Sequence, residues 1–113
     1  MKLIKAYIRY RKVEEVHNAL RAAGFDSMTF VEAEGTGQYT DKEETHISEK
    51  YPFAEAYRVI KLEVLVADKQ ENKIIKIIRD NGRTGYRGDG MILVAPIDEA
   101  YKIRNEGKGV QSI

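Results

Sequence analysis

The stretch Thr84-Gly-Tyr-Arg-Gly-Asp-Gly90 decides how this 113-residue sequence is interpreted. An isoleucine-rich helical pattern precedes it and an apolar strand follows it. Its three glycines allow sharp backbone turns and a close approach to a ligand. Backbone amides in such a loop, with Arg83 and Arg87 as forked donors, are suited to an anion such as phosphate. An ordinary helix-to-strand connection with an Asp-Gly turn is the alternative interpretation.

Outward from this loop, apolar periodicity predicts four strands, at residues 3–10, 27–33, 58–67 and 90–95. A first helix is expected over residues 11–23, with Gly24 as its C-terminal glycine. A second helix is expected to be capped by Asp68, with Glu71 as capping-box partner, and to end near Gly82. Residues 97–101 are expected to form a short turn or helix, and residues 102–104 a last short strand.

The predicted order is β-α-β-loop-β-α-β, which is the ferredoxin-like split arrangement. We therefore expect an α+β fold, a ferredoxin-like βαββαβ sandwich, in a single domain of residues 1–113. A long loop without an apolar period covers residues 35–55, and loops of that length are usually functional or disordered. Residues 105–113, with two glycines, are expected to be a flexible tail.

Both faces of the predicted sheet carry apolar side chains. In the first strand Leu3 and Tyr7 alternate with Ile4 and Ile8, and the third strand alternates in the same way. Two long helices can cover only one face, so the second face predicts burial against another copy of the chain. The sequence thus predicts a homo-oligomer, without fixing its symmetry.

Composition excludes several classes of protein. The net charge is +1, from 19 basic and 18 acidic residues, which gives no field for nucleic acid or for an anionic membrane. No apolar run is long enough to cross a bilayer, and no signal peptide is found, so direct membrane insertion is not expected and a cytoplasmic protein is. There is no cysteine, so thiolate chemistry and disulfides are excluded.

Catalytic and metal sites have few candidate residues. Two histidines and no cysteine leave little for a catalytic triad, and no serine lies in a nucleophile-elbow motif, so we expect no enzyme. Metal binding through His46 with the nearby carboxylates of residues 41, 43 and 44 is kept as an alternative, as in a metal-binding trimer of related fold of the copper-tolerance type. Tyr39, His46 and Tyr51 in the long loop are candidates for partner contact, since aromatic residues are favoured interface anchors. The alternative interpretation is that the loop tyrosines pack the loop onto the body of the domain.

Two further features are compatible with a phosphate site. Gly35 and Gly37 stand where the second strand ends, and they serve either as a hinge or as part of a cleft with the glycine loop of residues 84–90. Lys102 and Arg104 have the period-two spacing that places them on one side of a strand. They can either clamp phosphates or protect a solvated strand edge.

The sequence resembles the PII signal-transduction proteins over nearly its whole length. The most specific motif is the T-G-x-x-G-D-G pattern of residues 84–90, followed by a strand and then by Lys102-Ile-Arg104. Supporting matches are residues 28–29, 31–32 and 62–68, the glycine pair Gly35-x-Gly37 and, more loosely, residues 1–6.

The resemblance implies a homotrimer of ferredoxin-like subunits that binds ATP, ADP or AMP in clefts between subunits. It implies a long loop that docks on a target, such as a membrane ammonium transporter or a nitrogen-assimilation enzyme. The nucleotide-binding residues implied by the resemblance, together with Arg87 from the loop composition, are Thr29, Gly35, Gly37, Gln38, Val64, Arg87, Gly88, Asp89, Gly90, Lys102 and Arg104.

Three departures from the family pattern bear on the effector. Met91 stands where the family usually has a lysine after G-D-G, which removes a phosphate charge and predicts a weaker preference for ATP over ADP or AMP. Gln38 follows Gly37 directly, without the usual basic residue between them, so binding of Mg²⁺ and of 2-oxoglutarate stays open. Tyr51 lies in Tyr-Pro-Phe rather than in the usual modification motif, so nucleotidylylation is not expected.

Overall fold

Four strands and two helices, in the predicted order, make up the fold. A computed structural model describes residues 1–35 and 58–113. The elements are β1 (Lys2–Arg9), α1 (Val13–Ala22), β2 (Thr29–Glu34), β3 (Arg58–Val66), α2 (Glu71–Gly82) and β4 (Met91–Pro96). The α+β class and the ferredoxin-like βαββαβ arrangement are thereby confirmed.

The strands form one antiparallel sheet in the order β2-β3-β1-β4. Central strand β1 pairs with β3 from Lys2–Val66 to Arg9–Val59, and with β4 from Lys2–Pro96 to Tyr7–Met91. β2 lies at the outer edge of β3, where the pairing runs from Thr29–Glu63 to Glu34–Arg58.

Both helices lie on one face of the sheet, and the core is the layer between them. Each helix contributes a stripe with three- and four-residue spacing. The buried side chains are Ile4, Ala6, Ile8, Val16, Leu20, Ile60, Leu62, Val64, Val66, Ile74 and Ile78. All of them are at most 5% exposed, and no polar side chain is buried with them in the described part of the chain. Among residues 1–35 and 58–113, no helix has the length and apolar character needed to cross a membrane.

The helix ends differ from their sequence prediction. A 3₁₀ turn, Tyr10–Lys12, comes before α1, and another, Asp68–Gln70, comes before α2. Asp68 therefore does not cap α2, because the N-cap position belongs to Gln70 and no side chain bonds there. The Asp68 carboxylate instead lies 2.9 Å from the N-terminal ammonium, whose hydrogen bond lowers the pKa of that carboxyl. Gly24 has the positive φ of 93° expected at the end of α1.

The chain after β4 also departs from the prediction. Residues 97–101 contain no helix, and residues 102–104 are not a strand. Tyr101 and Lys108 form an isolated antiparallel bridge, and the amide of Lys102 donates to the carbonyl of Gly107 at 2.8 Å. Residues 102–107 thus form the turn of a short hairpin, because the chain reverses where an extended segment was expected. A 3₁₀ turn, Val110–Ser112, follows, and the flexibility of residues 105–113 stays a prediction.

The second face of the sheet has no cover within the described chain. It carries half-buried Leu3, Tyr7, Val59 and Leu65 together with Val31, Met91 and Leu93, which are 41%, 64% and 43% exposed. Charged residues lie among them, including Lys61, whose Nζ atom is 3.3 Å from the Glu63 carboxylate. We call this surface the open face.

Candidate functional site

The glycine loop, residues 84–90, connects α2 to β4 and has a defined backbone shape. Gly85, Gly88 and Gly90 all have φ between 88° and 96°. Side-chain-bearing residues rarely adopt this conformation, so the glycines are required by the path of the backbone. The loop predicted from its glycine spacing is therefore a sharply turned segment rather than a simple extension of the helix.

Asp89 is the main hydrogen-bond acceptor of the loop. Its Oδ2 atom accepts hydrogen bonds from the amides of Thr84, at 3.0 Å, and Gly85, at 2.9 Å. Its Oδ1 atom accepts from the Thr84 hydroxyl, and the amide of Tyr86 donates to the Thr84 hydroxyl oxygen at 3.1 Å. The amides of residues 84–86 are thus directed inward. For Gly88 and Gly90, no amide hydrogen bond is found within the described chain, which leaves these amides as candidate anion donors.

The electrostatic state of Asp89 follows from these contacts. Partial burial raises the pKa of the Asp89 carboxyl, but hydrogen bonds from Thr84, Arg9 and the Gly85 amide outweigh it and hold the pKa below its ordinary value. The carboxylate is therefore ionised under all ordinary conditions. Its lone pairs are engaged by the loop itself, which makes Asp89 an organiser of the loop.

Arg9 completes the site, and the sequence reasoning missed it. Its Nε atom donates to Asp89 Oδ1 at 2.9 Å, and its Nη2 atom donates to the carbonyl oxygen of Arg87 at 2.6 Å. The ladder between β1 and β4 ends at Tyr7–Met91, so Arg9 at the end of β1 comes level with Asp89. Opposite charges at the facing ends of two paired strands were the available sequence signal.

Gly90 is held against β1. A Cβ atom built there would lie 1.8 Å from the carbonyl oxygen of Tyr7, so no larger residue fits without moving the backbone. Beside this contact is a cleft of about 220 Å³ between α2, β1 and β4. Its lining residues are Tyr7, Ile8, Ile78, Arg79, Gly82, Arg83, Asp89, Gly90, Met91 and Ile92. The glycine loop thus adjoins an open concave surface that carries two arginines.

Gly35, Thr29 and Val64 do not join the glycine loop within one subunit. Gly35 follows β2 at the same end of the sheet as the loop, but β2 and β4 are opposite edges of that sheet. Thr29 is exposed at the start of β2, and the β2–β3 ladder ends at Thr29–Glu63, one residue short of Val64. Val64 as a whole is only 3% exposed, so within one subunit it offers little surface to a ligand.

Lys102 and Arg104 also lie apart from the loop. They occupy the hairpin turn after β4, on either side of Ile103, whose side chain is fully exposed. Lys102 borders a second cleft of about 200 Å³, with Ser27, Leu65, Ala100, Tyr101, Gly109 and Ile113. Among the described residues predicted to bind nucleotide, one group lies around the glycine loop and a second around this cleft and the start of β2, whereas Gly35, at the far end of β2, belongs to neither.

Several sequence predictions fall outside the described residues. Two of them are the nucleotide-binding candidates Gly37 and Gln38. The others are the partner-contact candidates Tyr39, His46 and Tyr51, and the alternative metal ligands, His46 with residues 41, 43 and 44. Within residues 1–35 and 58–113, no group of three metal-ligating side chains is found.

Comparison with known proteins agrees with this fold. The family model described as nitrogen regulatory protein P-II matches residues 1–107. The nitrogen regulatory protein P-II of Rhizobium meliloti is 34% identical over 113 residues, which cover all of both chains. Nitrogen regulatory protein P-II 2 of Methanothermobacter thermautotrophicus is also 34% identical over 113 residues, covering all of this chain and 97% of the relative.

A P-II protein of Microchaete diplosiphon is 33% identical over the full length of both chains. The matches give no support to the copper-tolerance alternative, because all three of these relatives and the family model carry the P-II description. The matched family is one of signal-transduction regulators rather than of enzymes. Since the family model and the relatives span nearly the whole sequence, the chain belongs to the nitrogen regulatory protein P-II family.

Proposed function

We propose that this chain is a non-enzymatic regulator that binds an adenine nucleotide between its subunits and controls a target protein through its long loop. Residues 1–113 form one domain of a homotrimer, residues 35–55 are the regulatory loop and residues 105–113 the flexible tail. The effector is ATP, ADP or AMP. The target is a membrane transporter or a metabolic enzyme, and the protein works in the cytoplasm without nucleic acid and without inserting into the membrane.

The observation that carries this proposal is the organised glycine loop. A loop built from three left-handed glycines, with Asp89 as an internal acceptor, is held in shape by hydrogen bonds within the chain itself. Preformed amide donors cost no ordering on binding, which favours phosphate recognition at this place. The family of this chain uses adenine nucleotides as effectors, so the loop and the family point to the same ligand class.

The separation of the two residue groups supports a site between subunits. Val64 lies opposite Ile4 on one side of β1, and Gly90 lies beside Ile8 on the other. Four residues along a strand and two strand spacings correspond to about 13 Å along the sheet and about 10 Å across it. A ligand joining them on one chain would cross the sheet, whereas a second subunit can bring its own loop beside Thr29 and Val64.

The open face supports the oligomer. Its apolar residues, and the exposed Ile103 between two basic residues, are the surfaces that a second copy would cover. In this arrangement Lys102 and Arg104 contact the phosphates of a nucleotide bound at the glycine loop of a neighbouring subunit. They do so from the hairpin turn rather than from a strand.

The effector preference follows from Met91. Its side chain is 64% exposed at the start of β4, directly after the glycine loop, where family members usually carry a lysine. With that charge missing, ADP or AMP competes well with ATP. Gln38, the residue whose family counterpart helps hold Mg²⁺ and 2-oxoglutarate, lies outside the described residues.

The test is a calorimetric panel of ATP, ADP, AMP, cyclic nucleotides and 2-oxoglutarate, each with and without Mg²⁺. We expect saturable binding of at least one adenine nucleotide and no product on chromatography. Arg104→Ala should weaken binding by about 1.5–3 kcal/mol, since a charge-assisted contact to phosphate is lost. Arg21→Ala on the exposed surface of α1 is the matched control and should bind as the parent does. No binding of any adenine nucleotide at millimolar concentration would contradict the proposal.

A further inference from the structure

A single side chain from outside the glycine loop contacts it at two places. Arg9 donates through Nε to the Asp89 carboxylate and through Nη2 to the Arg87 carbonyl, at 2.9 and 2.6 Å. Gly88 lies between these two contacts, and a Cβ atom there would be 3.4 Å from Nη2. The guanidinium group therefore spans residues 87–89, the part of the loop that follows the inward-directed amides.

Charge gives this contact a second effect. The Asp89 carboxylate accepts from the amides of Thr84 and Gly85, in the same loop as the Gly88 and Gly90 amides that are candidate phosphate donors. An unpaired carboxylate there would repel a phosphate group. Arg9 and Asp89 form an ion pair with side chains only 26% and 25% exposed, so solvent screens the pair less than an exposed one. Arg9 thus offsets the charge that the loop needs for its own shape.

The guanidinium group suits this task better than an ammonium group. Arginine presents several N–H donors in a rigid planar fork, and two of them are used here on acceptors of different kinds. Lysine offers a compact charge on a flexible stem and cannot hold both acceptors in the same geometry. The backbone carbonyl of Arg87 is the acceptor that lysine would lose.

We propose that Arg9 is a positioning residue for the anion site of the glycine loop, acting through Asp89 and the Arg87 carbonyl rather than by contact with the ligand. The proposal rests on the proposed function for its ligand, an adenine nucleotide phosphate. Its structural part, that Arg9 orders the loop in the absence of ligand, stands independently. Arg9 is anchored by the backbone of β1, whose other neighbour is β3, so the loop is fixed to the rigid centre of the sheet.

The first measurement uses the ligand-free protein. Amide hydrogen exchange of Thr84 and Gly85, whose amides bond to Asp89, should become at least tenfold faster in Arg9→Ala, whereas exchange in β1 and β3 should change little. Arg9→Lys should show an intermediate increase. Arg11→Ala removes the same charge two residues away, from an exposed position on the 3₁₀ turn, and should match the parent. Equal exchange in Arg9→Ala and Arg11→Ala would overturn the proposal.

The second measurement is nucleotide affinity in a double-mutant cycle. We expect Arg9→Ala to weaken ADP and ATP binding by a similar factor of ten or more. The reason is that the variant loses the ordered conformation of the loop and not a direct contact with one phosphate. Combining Arg9→Ala with Asp89→Asn should add little to either change alone. A loss that grows with each additional phosphate, or additive effects of the two changes, would overturn the positioning role.

The two measurements separate the possible failures. If the parent protein binds no adenine nucleotide but Arg9→Ala speeds loop exchange, the proposed function fails and the ordering role of Arg9 stands. If Asp89→Asn does not fold, judged by circular dichroism, the comparison of Arg9→Lys with Arg9→Ala decides the question. Equal affinity in those two variants and the parent would contradict the proposal.

Discussion

The two faces of the sheet come from the same strands but reach different degrees of burial. On the helix-covered face Ile4, Leu62 and Ile74 are fully buried. On the open face Leu93 and Val31 are 43% and 41% exposed, and charged residues such as Lys61 lie beside them. One chain is therefore sufficient to complete the first face, whereas the second carries apolar area for which the described chain provides no partner.

This difference indicates which contacts stabilise the single subunit and which would stabilise an assembly of subunits. Burial of apolar area is the dominant favourable term in folding and in association alike. A domain of about 100 residues buries a limited fraction of its surface, so contacts between subunits would extend its core. We infer that the helix-covered face fixes the subunit and the open face fixes the assembly. The following predictions test that division, from the largest expected effect to the smallest.

The largest effect is expected for Leu62→Ala on the helix-covered face. Removing a fully buried leucine side chain and leaving a cavity should lower the free energy of unfolding by about 2–5 kcal/mol. Chemical denaturation at a fixed protein concentration measures this, since oligomerisation makes apparent stability depend on concentration. A loss below 1 kcal/mol would contradict the assignment of the core.

An intermediate effect is expected for Leu93→Asp on the open face. The subunit should keep its secondary structure, but association should weaken by about 1 kcal/mol or more, because a partner can bury only the 43% of Leu93 that is exposed and the new carboxylate would have to be desolvated. Sedimentation over a range of concentrations measures the change in mass. Asn72→Asp, which adds the same charge on the exposed surface of α2, is the control. An unchanged mass for Leu93→Asp would show that the open face is not the subunit interface.

The smallest loss of stability is expected on acidification, and it should be confined to the end of the sheet where Asp89 lies. Because the folded state lowers the pKa of Asp89, its carboxylate contributes stability that is fully present above the ordinary carboxyl pKa of about 4. That contribution declines as the pH falls below this value and through the lowered folded-state pKa. The helix-covered face has no buried ionisable group in the described chain and should not respond.

Nuclear magnetic resonance can follow this titration in the amide shifts of Thr84 and Gly85. In the parent protein these shifts should hold to below pH 4 and then move, while the signals of Ile4 and Ile74 stay in place. Asp89→Asn should remove the pH dependence of the loop. Movement of the two amides at the ordinary carboxyl pKa would contradict the ion pair with Arg9.

Much of the fold could be predicted from the sequence because its signals are local. The alternation in β1 and β3 and the isoleucine stripe of α2 each occur within about ten residues, so the strand faces and the element order were predicted correctly. Asp68 was predicted to cap α2 from its spacing to Glu71. Spacing did not reveal that the N-terminal ammonium lies within 2.9 Å and takes the carboxylate instead.

The site was less predictable because it depends on contacts between distant segments. Arg9 and Asp89 are 80 residues apart in sequence, and only the sheet register brings them together. Lys102 and Arg104 were predicted to lie on one side of a short strand, and that strand was wrong. The bridge between Tyr101 and Lys108 reverses the chain there, and period-two spacing alone cannot distinguish a strand from a hairpin turn.

The pairing of Glu34 with Arg58 has a consequence for the evolution of this protein. These residues are direct partners at the end of the β2–β3 ladder, so the segment of chain between them begins and ends at adjacent positions of the sheet. Closing a loop costs free energy that rises only with the logarithm of its length, about 0.6 kcal/mol for each doubling. Insertions, deletions and wholesale exchange of this segment therefore leave the sheet almost unaffected. If the proposed function holds, a change confined to this one stretch of sequence can alter the target that the protein recognises while the sheet and its core stay the same.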